Sequence, residues 1–213
     1  VNILLAWLIL AIMYATIGHK YESTEKINQD GYAFGEVGKK LGFQDGDKIL
    51  SVDGIKQVQY RRQVLDILLG NNVEIERNGK IQTIVIQDSM KREIFEKEGK
   101  GFIRPRFKDV SVDHIAKNSI AQQIGLQKGD KILGVNNTKI TYFDELQNQL
   151  QAHKKDTIIL NILRNKQTIS FKTFVPDSAK LGFVANFNED FNYEVRTKHD
   201  FFNAIPTAIE ESY

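Results

Sequence analysis

Residues 41–54 (LGFQDGDKILSVDG) and 124–137 (IGLQKGDKILGVNN) repeat one another without a gap at an offset of 83 residues. A period of this length is too long for a solenoid and suits a duplicated domain. A chain of 213 residues has room for two small cores. In each copy Gly42 or Gly125 ends a short helix in a left-handed C-cap, and Phe43 or Leu126 plugs the core just after it. Gly46-Asp47 and Gly129-Asp130 make tight turns. Lys48 to Val52 and Lys131 to Val135 then run as strands, left through Asp53-Gly54 or Asn136-Asn137, residue types that tolerate positive φ.

The residues after each copy repeat in kind as well. Tyr60, Val64, Ile67 and Leu68 recur at helical spacing after the first, and Phe143, Leu146 and Leu150 after the second. A hairpin comes next in both. One runs Val73 to Arg77, turns at Asn78-Gly79 and returns through Ile81 to Ile86; the other runs Thr157 to Arg164, turns at Asn165-Lys166 and returns through Ile169 to Phe171. The predicted unit is strand, short helix, strand, turn, helix, hairpin, so the fold class is α+β, mainly β.

Charge and cysteine content exclude several functions. With 29 basic and 27 acidic residues spread along the chain, no field collects nucleic acid, and the basic pairs Lys91-Arg92 and Lys154-Lys155 read as solvated faces. The absence of cysteine removes disulfides, thiolate zinc sites and a thiol nucleophile. Val1 to Ile17 is an apolar run whose only polar members are Asn2 and Thr16. It reads as the outgoing part of a transmembrane helix, which needs about 20 such residues, with Trp7 and Tyr14 as interfacial anchors. A signal peptide would carry a basic start and a small-residue cleavage site, and neither is visible. A buried helix of a soluble protein is the other reading.

The pattern helix, Gly, hydrophobe, two residues, Gly-Asp, one residue, Ile-Leu, one residue, Val resembles a PDZ domain in the circularly permuted bacterial arrangement. The second copy carries it better, since Asn118 to Leu126 (NSIAQQIGL) resembles the usual opening helix, with Ile120 where proline is common. The first copy, Phe34 to Phe43, lacks the Ser-Pro-Ala element. Gly101 to Arg106 (GFIRPR) resembles the strand that opens the second PDZ domain of site-2 family membrane zinc metalloproteases of the RseP type. The apolar start resembles the second transmembrane helix of that family, and Phe201 to Ala208 the segment leading back to the third.

The resemblance covers nearly the whole chain and implies a definite layout. Residues 1–17 are part of a transmembrane helix, 18–90 the first PDZ domain, 91–100 a charged linker, 101–186 the second PDZ domain, and 187–213 the way back to the membrane. A helix-like reading of Ser89 to Glu98 stiffens that linker. The parent protein would be a zinc metalloendopeptidase of the bacterial inner membrane, with these domains on the periplasmic or extracytoplasmic side. It would perform regulated intramembrane proteolysis of a single-pass membrane protein, such as an anti-sigma factor, after a first cut. Partners would be a peptide or membrane-protein substrate and lipid through residues 1–17.

The chemistry itself is not in this segment. An H-E-x-x-H helix is absent, as is the family's L-D-G element, and His19, His114, His153 and His199 have no ligand spacing. Zinc would belong to the parent, with none held here, and the segment alone should be inactive. The G-N-S-G-G loop of trypsin-like HtrA enzymes and any phosphate-binding loop are absent too. The remaining possibility is a binding surface. In a PDZ groove an extended peptide adds a strand, and backbone amides at the strand's start hold its carboxylate. By resemblance the second domain offers Phe102, Ile103 and Arg104 at that start, faced by the helix carrying Phe143, Leu146 and Leu150, although core packing alone would also explain Leu150. The domains either recognise a new C-terminus or act as a steric filter. The short joint and the incomplete first copy favour the filter. Alternatives are a membrane-anchored PDZ adaptor without protease activity and a soluble, chaperone-like PDZ pair with residues 1–17 packed in a core.

Overall fold

A computed structural model describes residues 2–96, 102–186, 193–198 and 200–210. The chain opens with α1 (Asn2–Thr16), β1 (His19–Glu22) and α2 (Thr24–Ile27). The first repeat unit comprises β2 (Tyr32–Phe34), α3 (Glu36–Lys40), β3 (Lys48–Val52), α4 (Tyr60–Leu69), β4 (Asn72–Arg77), β5 (Lys80–Val85), α5 (Asp88–Glu96) and β6 (Ile103–Pro105). The second is β7 (Val112–Ile115), α6 (Ile120–Gln123), β8 (Lys131–Val135), β9 (Thr138–Lys139), α7 (Phe143–Ala152), β10 (Thr157–Arg164), β11 (Gln167–Phe174) and β12 (Phe183–Ala185). β13 (Glu194–Thr197) and α8 (Phe201–Glu210) close the described chain.

The duplication is visible in the sheets. β3–β4–β5 in the first unit corresponds to β8–β10–β11 in the second, all antiparallel. The hairpin turns use Asn78-Gly79 and Asn165-Lys166, all four residues at positive φ, the backbone that lets a two-residue turn follow the twist of its strands. Each unit buries its own apolar cluster: Phe43, Ile49, Ile67, Val73 and Ile75 in the first, Leu126, Ile132, Leu146, Leu160 and Ile162 in the second. Side chains of this size, fully buried, stabilise by about 1.5–3 kcal/mol each.

The repeated Gly-Asp element works identically in both units. Asp47 and Asp130 are each 1% exposed. Arg77 reaches Asp47 through two hydrogen bonds of 2.7 and 2.6 Å, and Arg164 reaches Asp130 at the same two distances. Each arginine also donates to the carbonyl of the helix-ending glycine, Gly42 at 2.7 Å or Gly125 at 2.8 Å. One bidentate pair thus ties the hairpin, the turn and the helix C-terminus together. Capping differs, however. Ser119 accepts from the Gln122 amide at the start of α6, whereas Gly35 at the start of α3 offers no side chain.

Three expectations are corrected by the packing. β6 pairs with β2, placing Ile103 opposite Phe34, and both Phe102 and Ile103 lie in the first core. The strand expected to open the second domain therefore closes the first. β12 does the same for the second unit by pairing with β7. Next, the stretch expected as a stiff, helix-like linker is indeed helical as α5, but it is no linker, since its Ile94 is 1% exposed within the first core. Residues 97–101 lie outside the described residues, as do 187–192, 199 and 211–213 of the stretch expected to lead back to the membrane. Finally, no helix among the described residues is long and apolar enough to cross a membrane.

Nor is α1 packed into a core. It lies against α8 through Ala11, Ala204 and Ala208, the three buried residues of that contact, while Leu4, Leu5, Leu8, Ile9 and Ile12 remain exposed. β1 and β13 pair beside this helical contact, with His19 opposite Thr197 and a Lys20–Glu194 ion pair. His19 also stands between the rings of Tyr14 and Tyr21, at 4.8 and 5.5 Å.

Candidate functional site

Among the described residues each unit ends in a short strand with one neighbour, and its backbone alternates between two directions. In β6 the Phe102 carbonyl accepts from Gly35 and the Arg106 amide donates to Gly31, so residues 102, 104 and 106 face β2. Ile103 and Pro105 therefore present their backbone groups to the other edge. The second unit matches: Gly182 accepts from Ala116 and Asn186 donates to Ser111, leaving Phe183 and Ala185 to face outward. A free strand edge beside a helix is the place where another extended chain adds itself.

The two edges are not equivalent. In the first unit the Tyr60 hydroxyl, at the start of α4, donates to the Ile103 carbonyl at 2.9 Å. Pro105, the other outward residue, has no N–H. One acceptor is taken and one donor is missing. Burial pushes the Tyr60 phenol up to about 12, with the nearby Glu22 carboxylate adding to it, so it stays a protonated donor. The second unit has Ala185 in place of Pro105, and the position 83 residues after Tyr60 is Phe143, which has no hydroxyl. Among the described residues no strand lies on the outer edge of β12.

Leu181-Gly182-Phe183 leads into that edge. Gly182 has φ +87°, and a Cβ there would stand 2.4 Å from the Ser119 Cβ, so only glycine fits the bend before the strand. The Leu181 carbonyl accepts from the Ala121 amide at 2.7 Å, anchoring the bend to α6.

Of the residues expected to line a groove in the second domain, the structure keeps Phe143, Leu146 and Leu150 together on α7. Leu146 and Leu150 are buried in the second core and Phe143 packs against it. Phe102 and Ile103 belong to the first core, so they do not line the second groove. Arg104 is on β6, but its side chain crosses to α7. Its guanidinium carbon lies 5.3 Å from the Phe107 ring centre and 5.7 Å from that of Phe143, and it donates to Gln147 at 2.6 Å. Burial draws the Arg104 pKa below its ordinary value despite the Asp144 and Asp45 charges, and it remains fully charged near neutrality.

Sequence reasoning missed the joint that sets α7 in place. Arg106 donates to Asp144 at 2.7 Å and to Glu145 at 3.0 Å, with its guanidinium 3.7 Å from the Tyr142 ring centre. Burial disfavours the Arg106 charge, but the Asp144 and Glu145 carboxylates outweigh it and raise its pKa. Tyr142 in turn donates to Asp30 at 2.8 Å, and Lys108 pairs with the same carboxylate. Asn148 bridges to Lys39 and Asp45 at 3.2 and 2.9 Å. Arg106 is separated by 38 residues from Asp144, and no local pattern joins them.

Comparison with known proteins places this geometry. Residues 112–164 match the PDZ-domain family. The periplasmic pH-dependent serine endoprotease DegQ of Escherichia coli is 28% identical over 152 residues, covering 63% of this chain and 33% of that protein. The periplasmic serine endoprotease DegP of Salmonella typhimurium is 30% identical over 148 residues, covering 61% of this chain and 30% of that protein. The chain thus spans about a third of the length of the curated relatives it matches. Among solved structures, the HtrA3 PDZ domain bound to a phage-derived ligand aligns at 22% identity and TM-score 0.26, over 32% of this chain and 83% of that one. An HtrA-type protease with a decapeptide aligns at 16% identity and TM-score 0.28, over 56% and 43%. The expected setting of an intramembrane zinc protease with a transmembrane helix is corrected by these findings, since the curated relatives are serine endoproteases and no described helix has spanning length. The fold is mainly β and PDZ-like, and the second half of the chain carries a PDZ domain.

Proposed function

We propose that this chain is the substrate-binding, PDZ-type part of an extracytoplasmic protein related to the HtrA serine proteases, and that it takes extended peptides at the outer edge of β12. The single observation that carries this reading is the outward-facing backbone of Phe183 and Ala185, on an edge where the first unit has Tyr60 and Pro105 in the way. Both units then share the permuted strand order, with the groove strand last. Phe143, Leu146 and Leu150 are the side chains of α7 that would shape the pocket, and the bend at Gly182 would hold a terminal carboxylate. The joint at Arg106 keeps the first unit as a fixed wall beside this groove, which the steric-filter reading also requires.

The test is titration of the whole chain with fluorescent decapeptides ending in a free valine against the same peptides amidated. Carboxylate-dependent binding, weakened by Leu150→Ala, is the expected result; no binding at millimolar peptide would leave only the filter.

Lipid, the partner expected for residues 1–17, would meet the exposed face of α1. The run of Leu4, Leu5, Leu8, Ile9 and Ile12 at the surface supports this contact. In a flotation assay with phosphatidylglycerol-containing liposomes the chain is expected to rise with the lipid, and the double variant Leu5→Glu, Leu8→Glu to stay behind. Equal flotation of both would remove lipid from its partners.

A further inference from the structure

The charge that would select ligands for the second groove comes from the first unit. Tyr60 stands at the β6 edge, as its hydrogen bond to Ile103 shows; Phe143 is its counterpart at the 83-residue offset and packs against the same core as Phe183 of β12. One turn further along α7 is Gln147. These are the two side chains of α7 that Arg104 reaches, stacking toward the Phe143 ring and donating to Gln147. The guanidinium of a first-unit strand therefore sits at the mouth of the second-unit groove.

Its hydrogen-bond acceptor there, Gln147, is neutral. Arg77, Arg106 and Arg164 each hold a carboxylate within 3 Å, whereas Arg104 makes no ion pair among the described residues, and its one side-chain acceptor is an amide. The two carboxylates whose charges reach it are engaged elsewhere: Asp144, 3% exposed, by Arg106, and Asp45 by Lys39 and the Phe34 amide. A half-buried guanidinium with two aromatic faces beside it and a fork of unused donors is built to take a carboxylate bidentately. The start of β12 at Gly182 is left for the terminal carboxylate, so the group that meets Arg104 belongs to a side chain.

We infer that Arg104 is a specificity-determining residue of the second groove, selecting peptides with a glutamate or aspartate upstream of their end. The inference rests on peptide binding at β12. The experiment scans Glu or Gln through positions two to six from the end of alanine-based decapeptides with a free terminal valine, using the whole chain. At one position Glu is expected to bind about tenfold more tightly than Gln, a difference that shrinks with added salt and disappears in Arg104→Gln while Gln-peptide affinity is kept. Arg104→Lys should retain part of it. The wild-type Glu–Gln comparison stands even if a variant folds poorly. Equal affinities at every position, or a preference that survives in Arg104→Gln, would overturn the inference while leaving the groove intact. Failure of every peptide to bind would overturn the groove and the inference together.

Discussion

Asp130→Ala is expected to destabilise the chain by about 3 kcal/mol, the lower end for breaking a buried ion pair by removing one partner. The carboxylate is 1% exposed and does three jobs. It accepts both arms of Arg164 and caps the Gln127 amide at 2.8 Å. Without it Arg164, whose side chain is only 20% exposed, keeps its charge and one bond to Gly125. Urea denaturation monitored by far-ultraviolet dichroism measures the loss. A change below 1 kcal/mol would mean that the pair is as dispensable as a surface one. The same group sets a pH dependence. Burial alone would raise the Asp130 carboxyl, but the hydrogen bonds from Arg164 and the Gln127 amide overcome it and hold its pKa below the ordinary value. The unfolded chain then binds more protons in that window, so stability rises with pH. The contribution is complete above the ordinary carboxylate pKa of about 4 and is lost as pH falls through the lower folded value. Asp130→Asn should flatten this acid limb while lowering the plateau.

Legibility in the sequence depended on which contacts are local. The Gly-Asp turn, the helices carrying Tyr60 and Phe143, and both hairpins lie within short windows of residues, where periodicity and turn chemistry speak directly. The place of Ile103 to Pro105 was not legible in the same way, because its partner Tyr32 to Phe34 is far back in the chain. A signal was nevertheless present: Lys100-Gly101-Phe102 after the first hairpin resembles Lys180-Leu181-Gly182-Phe183 after the second. Taken as part of the duplication, it assigns the strand to the end of each unit. The difference between the two strand edges could not be found from spacing at all, since it depends on a hydroxyl reaching a carbonyl 43 residues away.

Ala185→Pro combined with Phe143→Tyr is expected to abolish peptide binding, by about a hundredfold or more, while leaving the fold in place. The first substitution removes the outward N–H of β12; the second supplies a hydroxyl where Tyr60 caps Ile103 in the first unit. A peptide carbonyl left without its donor costs about 1–3 kcal/mol, and a taken acceptor removes about another 1 kcal/mol, so two lost contacts reach about a hundredfold in affinity. Because Ala185 faces away from β7, proline there breaks no bond within the sheet, the condition under which an edge strand tolerates it. Ala185 is buried in the second core, so the proline ring costs some packing, and a thermal midpoint that falls by only a few degrees separates loss of binding from loss of structure. The reciprocal pair, Pro105→Ala with Tyr60→Phe, should give the first unit a binding edge of its own and raise the stoichiometry from one peptide to two. If the double variant at residues 143 and 185 still binds like the wild type, the peptide is not added as a strand to β12, and its contacts must be side-chain contacts alone.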